Sequence, residues 1–183
     1  DNTLDDPYGR DAQPAYPWRG RITLDRAPGE AGSSDKTAAA AAEVAAFVGA
    51  ASAGDFSPGG DSVQYSGPPE WSLRRMVLHY AHLCAMAGGV DAFCIGSELR
   101  GLTQVRDGEA HYPFVDALTT LAGDVAAVLG SQTAVGYAAD WSEYFGHQPQ
   151  DGSGDVIFHL DPLWSDPAID FVGIDNYMPL SDW

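Results

Sequence analysis

The sequence has few basic residues and no basic patch. Nine lysines and arginines stand against 26 aspartates and glutamates in 183 residues, which gives a net charge of −17. A field of that sign repels phosphate backbones and anionic lipid surfaces, so we expect no nucleic-acid partner. Neutral ligands such as carbohydrates carry no such penalty, although an acidic surface can also serve solubility alone.

Cysteines, long apolar runs and targeting signals are also scarce. The two cysteines, Cys84 and Cys94, lack a CxxC or Cys/His spacing, so we predict buried free thiols and no metal site. No apolar run is long enough to span a membrane. The chain opens with Asp1, without an initiator Met or a signal peptide, and closes with Trp183, so we expect a piece of a longer parent protein.

Nucleotide and metal motifs are missing as well. The glycine clusters form neither a GxGxxG nor a GxxxxGK[ST] loop, and no GxSxG elbow occurs, so no cofactor is expected. His79 and His82 lie three positions apart on a predicted helix without a third ligand, which favours a solvated or hydrogen-bonded pair.

The sequence predicts one incomplete domain over residues 1–183. Residues 1–34 form a loop-rich segment with one short extended candidate, Arg19 to Leu24, and residues 35–183 form successive βα units. The first predicted helix is capped by Ser34 or Asp35 and ends at Gly49, and a loop follows over 53–69. A second helix runs from Glu70 and Trp71 to Gly88, and its apolar stripe includes Leu73, Met76, Val77, Tyr80, Leu83, Cys84 and Ala87. The remaining predicted elements are a strand Ala92–Gly96 that is buried on both faces, a helix from Pro113 to Gly130, a strand Thr133–Ala138, a short helical segment within VIFHLDPLW and a strand Asp170–Ile174.

Acidic residues follow each of the three predicted strands. Glu98 and Asp140 are 42 positions apart, and Asp140 and Asp175 are 35 apart, which is about one barrel βα unit with modest insertions. Parallel strands deliver their carboxyl ends to one rim, so the three acids should face a common mouth. The fold class is therefore α/β, a partial (β/α)₈ barrel, because 183 residues fall short of the roughly 250 of a complete one.

The rim residues suit a carbohydrate site. Aromatic residues near the acids, namely Trp141, Tyr144, Tyr177 and Trp183, offer stacking faces for sugar rings. Glycoside hydrolysis needs two carboxyl groups, of which Glu98 would be the acid/base. The alternative for Glu98 is an ion pair with Arg100 or a turn cap, and Asp140 and Asp175 can equally cap the segments that follow them.

Four strings resemble the glycosidase-like TIM-barrel domain of gene transfer agent baseplate proteins: YPWRGRIT, HYAHLCAMAGGVDAFCIGSELRGL, VGYAADWSEYFGH and DFVGIDNYMPLSDW. These domains belong to phage-tail-type hub proteins, and their barrel is similar to retaining hydrolases of the β-mannanase type. The resemblance places Glu98 after the fourth barrel strand as acid/base and puts the nucleophile beyond Trp183, so this piece alone should be inactive. Ser97 stands where many such hydrolases have Asn. The implied substrate-binding residues are Trp18, Ser97, Asp140, Trp141, Asp175, Asn176 and Tyr177.

Three functions stay open at this level. The resemblance implies a retaining hydrolase in a virion or tail-like particle, with cell-envelope polysaccharide and other baseplate proteins as partners. The second is an inactive carbohydrate-binding or structural baseplate module. The third is an unrelated α/β domain, which would show a strand order different from that of a sequential barrel arc.

We predict that the isolated 183-residue chain self-associates. A barrel stopped after its sixth strand exposes unpaired strand edges and leaves helices without partners. Calorimetry should show a non-cooperative melt, and light scattering should show soluble aggregates. A sharp transition from a monomer would contradict this expectation.

Overall fold

A computed structural model describes residues 6–11 and 18–177. At its centre lies a small parallel sheet with helices packed against one face. The strands are β1 (Phe56–Gly59), β2 (Ser62–Tyr65), β3 (Ala92–Ser97), β4 (Ala134–Asp140) and β5 (Phe171–Asp175). The α-helices are α1 (Ala38–Val48), α2 (Leu73–Met86), α3 (Arg100–Thr103), α4 (Pro113–Leu129), α5 (Trp141–Tyr144) and α6 (Asp161–Trp164).

The main sheet has the strand order β3-β4-β5, and both pairs of strands are parallel. Each strand lies beside its successor in the chain, as in an arc of a β/α barrel. This order argues against the unrelated α/β domain, and no closed barrel forms within the described ranges.

The two faces of the sheet differ in burial. Val135, Tyr137 and Ala139 of β4 are fully buried on one face, where α4 packs over β3 and β4 and against α2. The opposite face carries Gly136, whose missing side chain makes room for the ring of Phe171, since a Cβ would lie 2.6 Å from that ring.

The prediction that β3 is buried on both faces was wrong. Ile95 is buried, but Ala92 and Cys94 are exposed, so the thiol of Cys94 is not a core group. Cys94 pairs in register with Gly136, on the face turned away from the helices. The apolar run of β3 therefore reflects packing on one face only.

Local sequence signals explain the helix ends. Gly49 (φ 82°) and Gly130 (φ 77°) take positive φ angles directly after α1 and α4, where residues with a Cβ are disfavoured. Pro113 opens α4, as predicted. The N-cap of α1 is Thr37, which accepts a hydrogen bond from the amide of Ala39, and not Ser34 or Asp35 as expected.

Several predicted bounds needed correction. The segment expected as a loop over 53–69 contains the antiparallel hairpin β1–β2, in which Phe56 and Tyr65 pack with ring centroids 4.8 Å apart. The extended candidate Arg19 to Leu24 begins instead with a 3₁₀ turn, Arg19–Arg21.

The helix α2 begins later than expected, after the N-cap Ser72. Met76 and Tyr80, which belong to its predicted apolar stripe, are more than half exposed. Leu73 and Val77 of that stripe are buried as predicted, and Leu78 and Ala81 are buried as well, so the packed face of α2 overlaps the predicted one only in part. Within residues 6–11 and 18–177, no helix combines the length and apolar character that crossing a bilayer requires.

Two imidazoles lie buried beside Tyr112. The Tyr112 hydroxyl is 3.0 Å from His147 Nδ1, and the ring of His159 lies 5.3 Å from that of Tyr112. Neither nitrogen of His159 has a partner of ordinary hydrogen-bond geometry among the described residues. Burial lowers the pKa of His147 and of His159 to about 4.

We predict that this histidine pair makes the fold sensitive to acid. Each pKa lies below the unfolded value of about 6.5, so the contribution to stability is complete above that pH and is lost as the pH falls towards 4. His159→Phe should reduce the loss of helical structure between pH 7 and pH 5, which far-ultraviolet circular dichroism would measure. The exposed His111, whose pKa is raised mainly by its hydrogen bond to Asp107, is the control. His111→Gln should instead increase the loss of structure on acidification. An equal loss in His159→Phe and in the unaltered protein would contradict the role of the histidine pair.

Candidate functional site

The carboxyl ends of the three parallel strands form one rim. Asp140 of β4 pairs in register with Asp175 of β5, and Ser97 at the end of β3 pairs with Ala138. Glu98 follows Ser97 directly, and its amide donates to the carbonyl of Ala138 over 2.8 Å. The structure thus brings the predicted acids to one edge of the sheet.

Glu98 lies at a turn of the backbone that residues other than glycine seldom adopt. Its φ is 53°, and among the described residues Lys36 is the only other non-glycine with a positive φ. The side chain is 2% exposed, so the turn directs the carboxylate inward. Backbone conformations of this kind persist only where the surroundings hold them, and they cluster at functional sites.

Two side chains from the N-terminal segment bind the carboxylate of Glu98. The indole Nε1 of Trp18 donates to Oε2 over 2.8 Å, and Nη2 of Arg19 lies 3.0 Å from the same oxygen. The other oxygen, Oε1, is buried and has no partner of ordinary hydrogen-bond geometry among the described residues. The predicted ion pair with Arg100 is replaced by one with Arg19, which the sequence analysis did not single out.

Arg19 connects Glu98 to the end of β5. Its Nε donates to the carbonyl of Ser97 over 2.6 Å, and its Nη2 donates to Ser97 Oγ over 2.9 Å. Ser97 Oγ in turn donates to Asp175 Oδ2 over 2.7 Å. Ser97, Glu98 and Asp175 therefore form one hydrogen-bonded group around Arg19.

Tyr177 and Asn176 flank this group. A hydrogen bond to Glu98 is the main cause that raises the pKa of the Tyr177 phenol, although the residue as a whole is exposed. Asn176 is also exposed. Trp183, expected as a further stacking face, lies outside the described residues.

Asp140 acts as a helix cap at the rim. Its Oδ1 accepts from the amide of Ser142 over 2.9 Å and from the Ser142 hydroxyl, and its own amide donates to Glu143 over 2.7 Å. This is the reciprocal capping arrangement that starts α5. Trp141 begins that helix, with its ring 5.8 Å from that of Phe145. A role for Asp140 or Trp141 in binding substrate stays a prediction.

Glu143 is a further buried carboxyl group beside Glu98 and Asp140, and its burial was not predicted from the sequence. It is 1% exposed and accepts from the hydroxyls of Thr103 (2.6 Å) and Tyr137 (3.1 Å) as well as from Asp140. Burial raises its pKa to about 7. The available signal was the spacing of Asp140 and Glu143, which predicts a capping box after a strand.

The described residues contain no group of three or more His, Cys, Asp or Glu side chains arranged to hold a metal ion. Arg19 and Trp18 bind Oε2 of Glu98, and Ser97 binds Asp175, whereas Oε1 of Glu98 is left without a partner among the described residues. The chemistry available at this rim is thus that of a buried carboxylate with neutral and cationic donors, and it suits proton transfer and hydroxyl recognition.

A profile of the GTA TIM-barrel-like domain, named for gene transfer agents, matches residues 71–183, which is more than half of the chain. The chain belongs to this family. Glu98, Asp140 and Asp175 fall within the part that matches the GTA TIM-barrel-like domain, whereas Trp18 and Arg19 precede it. No curated protein and no solved structure gave a significant match.

The N-terminal segment that carries Trp18 and Arg19 docks on Gly101 of α3. A Cβ at Gly101 would lie 2.6 Å from the carbonyl oxygen of Ile22 and 2.7 Å from that of Gly20. Thr23 Oγ1 also donates to the carbonyl of Gly101 over 2.6 Å. Glycine is required at position 101 because the two backbones touch there.

We predict that Gly101→Ala separates Trp18 from Glu98. The added methyl group meets backbone oxygens, so the segment must move, at a cost of about 1–3 kcal/mol. The Trp18 fluorescence, taken as the difference from the same chain carrying Trp18→Phe, should shift to longer wavelength. Gly108→Ala is the control, since a Cβ there meets nothing within 4 Å. Equal spectra for the two alanine variants would show that the segment does not depend on this contact.

Proposed function

We propose that this domain is a glycoside-hydrolase-like barrel of a gene transfer agent baseplate protein that acts on cell-envelope polysaccharide. The observation that carries the proposal is the placement of Glu98, a buried carboxylate in a strained turn at the carboxyl end of a parallel strand. In β/α barrels, this rim is where catalytic residues lie. Membership of the GTA TIM-barrel-like family supports the barrel and the association with gene transfer agents.

Glu98 is proposed as the acid/base of a double displacement with retention. The reaction needs a carboxylic acid to protonate the leaving oxygen, and the same group then activates water. In the structure, Arg19 and Trp18 occupy Oε2 of Glu98. We therefore propose that an incoming sugar displaces Arg19 or Trp18, so that its glycosidic oxygen can approach this carboxyl group.

The nucleophile of this mechanism is proposed to follow Trp183 in the parent protein. Asp140 is occupied as a helix cap, and Asp175 accepts a hydrogen bond from Ser97. Neither carboxylate is placed as a partner of Glu98 by these contacts, which supports a nucleophile from another segment.

The sugar ring is proposed to lie across the rim. Trp18, Trp141 and Tyr177 would offer aromatic faces. Asp175 would accept hydrogen bonds from sugar hydroxyls, and Asn176 would accept or donate them. The net charge of −17 favours a neutral polysaccharide over an anionic one.

A second candidate is an inactive carbohydrate-binding or structural module of the same particle. The observation that favours it is the ion pair of Glu98 with Arg19, because it ties the only proposed catalytic group of the described chain into a structural contact. In this case the rim would bind sugars, or would do no more than hold the N-terminal segment in place.

We predict that Glu98→Gln removes activity from the full-length parent protein. Release of reducing sugar from purified cell-envelope polysaccharide should fall by roughly 10²–10⁴-fold, the usual contribution of a general acid/base. Glu109→Gln, at an exposed glutamate, removes the same charge elsewhere and should leave the rate unchanged. Equal turnover by Glu98→Gln and the parent would exclude Glu98 from the mechanism. Polysaccharide binding without turnover by the unaltered parent would favour the binding module.

A further inference from the structure

The backbone that presents Glu98 rests on a buried hydrogen-bond chain. The amide of Leu99, the residue after Glu98, donates to the hydroxyl of Tyr137 over 2.9 Å. That hydroxyl donates to Oε1 of Glu143 over 3.1 Å. Tyr137 is fully buried, so water does not replace either bond.

Glu143 gathers donors from three parts of the rim. Thr103 of α3 donates over 2.6 Å to Oε1, and the amide of Asp140 at the end of β4 donates over 2.7 Å to Oε2. Together with Tyr137, these donors satisfy an ionised carboxylate whose side chain is 1% exposed. One side chain thus connects α3, β4 and α5 beneath the Glu98 turn.

The turn at Glu98 needs such support. A φ of 53° is unfavourable for glutamate, and the flanking amides are the groups that can hold it. The amide of Glu98 is held by Ala138, and the amide of Leu99 is held by Tyr137. Loss of the second bond leaves the amide of Leu99 without its partner, although the Leu99 carbonyl still accepts from the amides of Leu102 and Thr103.

We propose that Glu143, acting through Tyr137, is a positioning residue that holds the Glu98 turn in its catalytic geometry. The inference rests on the proposed hydrolase function for its consequence in catalysis. The hydrogen-bond chain itself is independent of that function. Glu143 touches neither substrate nor reacting atoms in this role.

The protonation state of Glu143 determines which group donates and which accepts in this hydrogen-bond chain. When ionised, it accepts from all three donors. When protonated, it loses its charge and must donate to one of the two hydroxyls on Oε1, that of Tyr137 or that of Thr103. The bond from Tyr137 is then reversed or becomes weaker than a bond to a charged acceptor, and the support that Tyr137 gives to Leu99 weakens.

The charged and polar neighbours of Glu143 are few. Asp140 faces it from β4 and Thr103 faces it from α3, while Arg19 acts on Tyr137 from the N-terminal segment. Burial, the largest cause, raises the pKa of Glu143 to about 7, and hydrogen bonds from its donors lower it. Removal of a donor therefore moves the transition to higher pH.

The first test measures amide exchange of the segment 96–100 in the full-length parent protein by mass spectrometry. Tyr137→Phe removes only the hydroxyl, and we expect about tenfold faster exchange of this segment. Tyr65→Phe is the control, because Tyr65 lies in the distant hairpin and its hydroxyl donates to the carbonyl of Pro68. In the parent, exchange corrected for its intrinsic pH dependence should increase as the pH falls through 7, and Glu143→Gln should remove that increase.

Thr103→Val provides a second variant if Tyr137→Phe does not fold. It removes one donor to the ionised form, so the pH transition in exchange should move upward. A role in stability alone would not shift this transition. The proposal is overturned if Glu143→Gln and Thr103→Val both show the same amide exchange, with the same pH dependence, as the parent.

The second test separates positioning from the hydrolase function. With polysaccharide as substrate, Tyr137→Phe should lower kcat with little change in KM. If the exchange results hold but the unaltered parent releases no sugar, the positioning of the turn stands and the proposed function fails. The opposite result is also possible, in which the parent is active and Glu98→Gln is inactive. If Tyr137→Phe then shows the same amide exchange and the same turnover as Tyr65→Phe, only the positioning role is overturned.

Discussion

The in-register ending of neighbouring parallel strands is the constraint on which the rim depends. Asp140 and Asp175 pair directly, and Glu98 follows β3 with its amide bound to β4. Side chains that are far apart in sequence therefore reach one edge without any long-range sequence motif. A slip by one residue would turn these groups to the opposite face, so the hydrophobic pattern of the strands also specifies the rim.

Burial of Glu98 is tolerated because the N-terminal segment supplies compensating donors. An isolated buried carboxylate is costly, and hydrogen bonds from an arginine and an indole offset part of that cost. Arg19 also binds Ser97, so a single guanidinium organises both residues. The segment reaches this position because Gly101 lets its backbone approach α3 closely.

The sequence predicted the order of elements better than the contacts between side chains. Pro113, Gly49 and Gly130 act through local backbone preferences, so their helix ends were predictable, as was the rim position of Glu98, Asp140 and Asp175. The partners of Glu98 were not, because Trp18 and Arg19 lie about 80 positions away and no local rule selects one of several arginines. The hairpin β1–β2 was missed because Gly and Pro dominate its turn region and its strands are only four residues long. The burial of Glu143 depends on tertiary packing in the same way.

The position of Cys94 on the open face of the sheet has a chemical consequence. Burial and the charge of Asp175 raise the pKa of this thiol, although part of the residue is exposed. Oxidants and disulfides react with the thiolate and not with the thiol. The raised pKa, caused first by burial and then by Asp175, leaves less of the sulfur as thiolate, so this exposed residue is less reactive than a cysteine with an ordinary pKa.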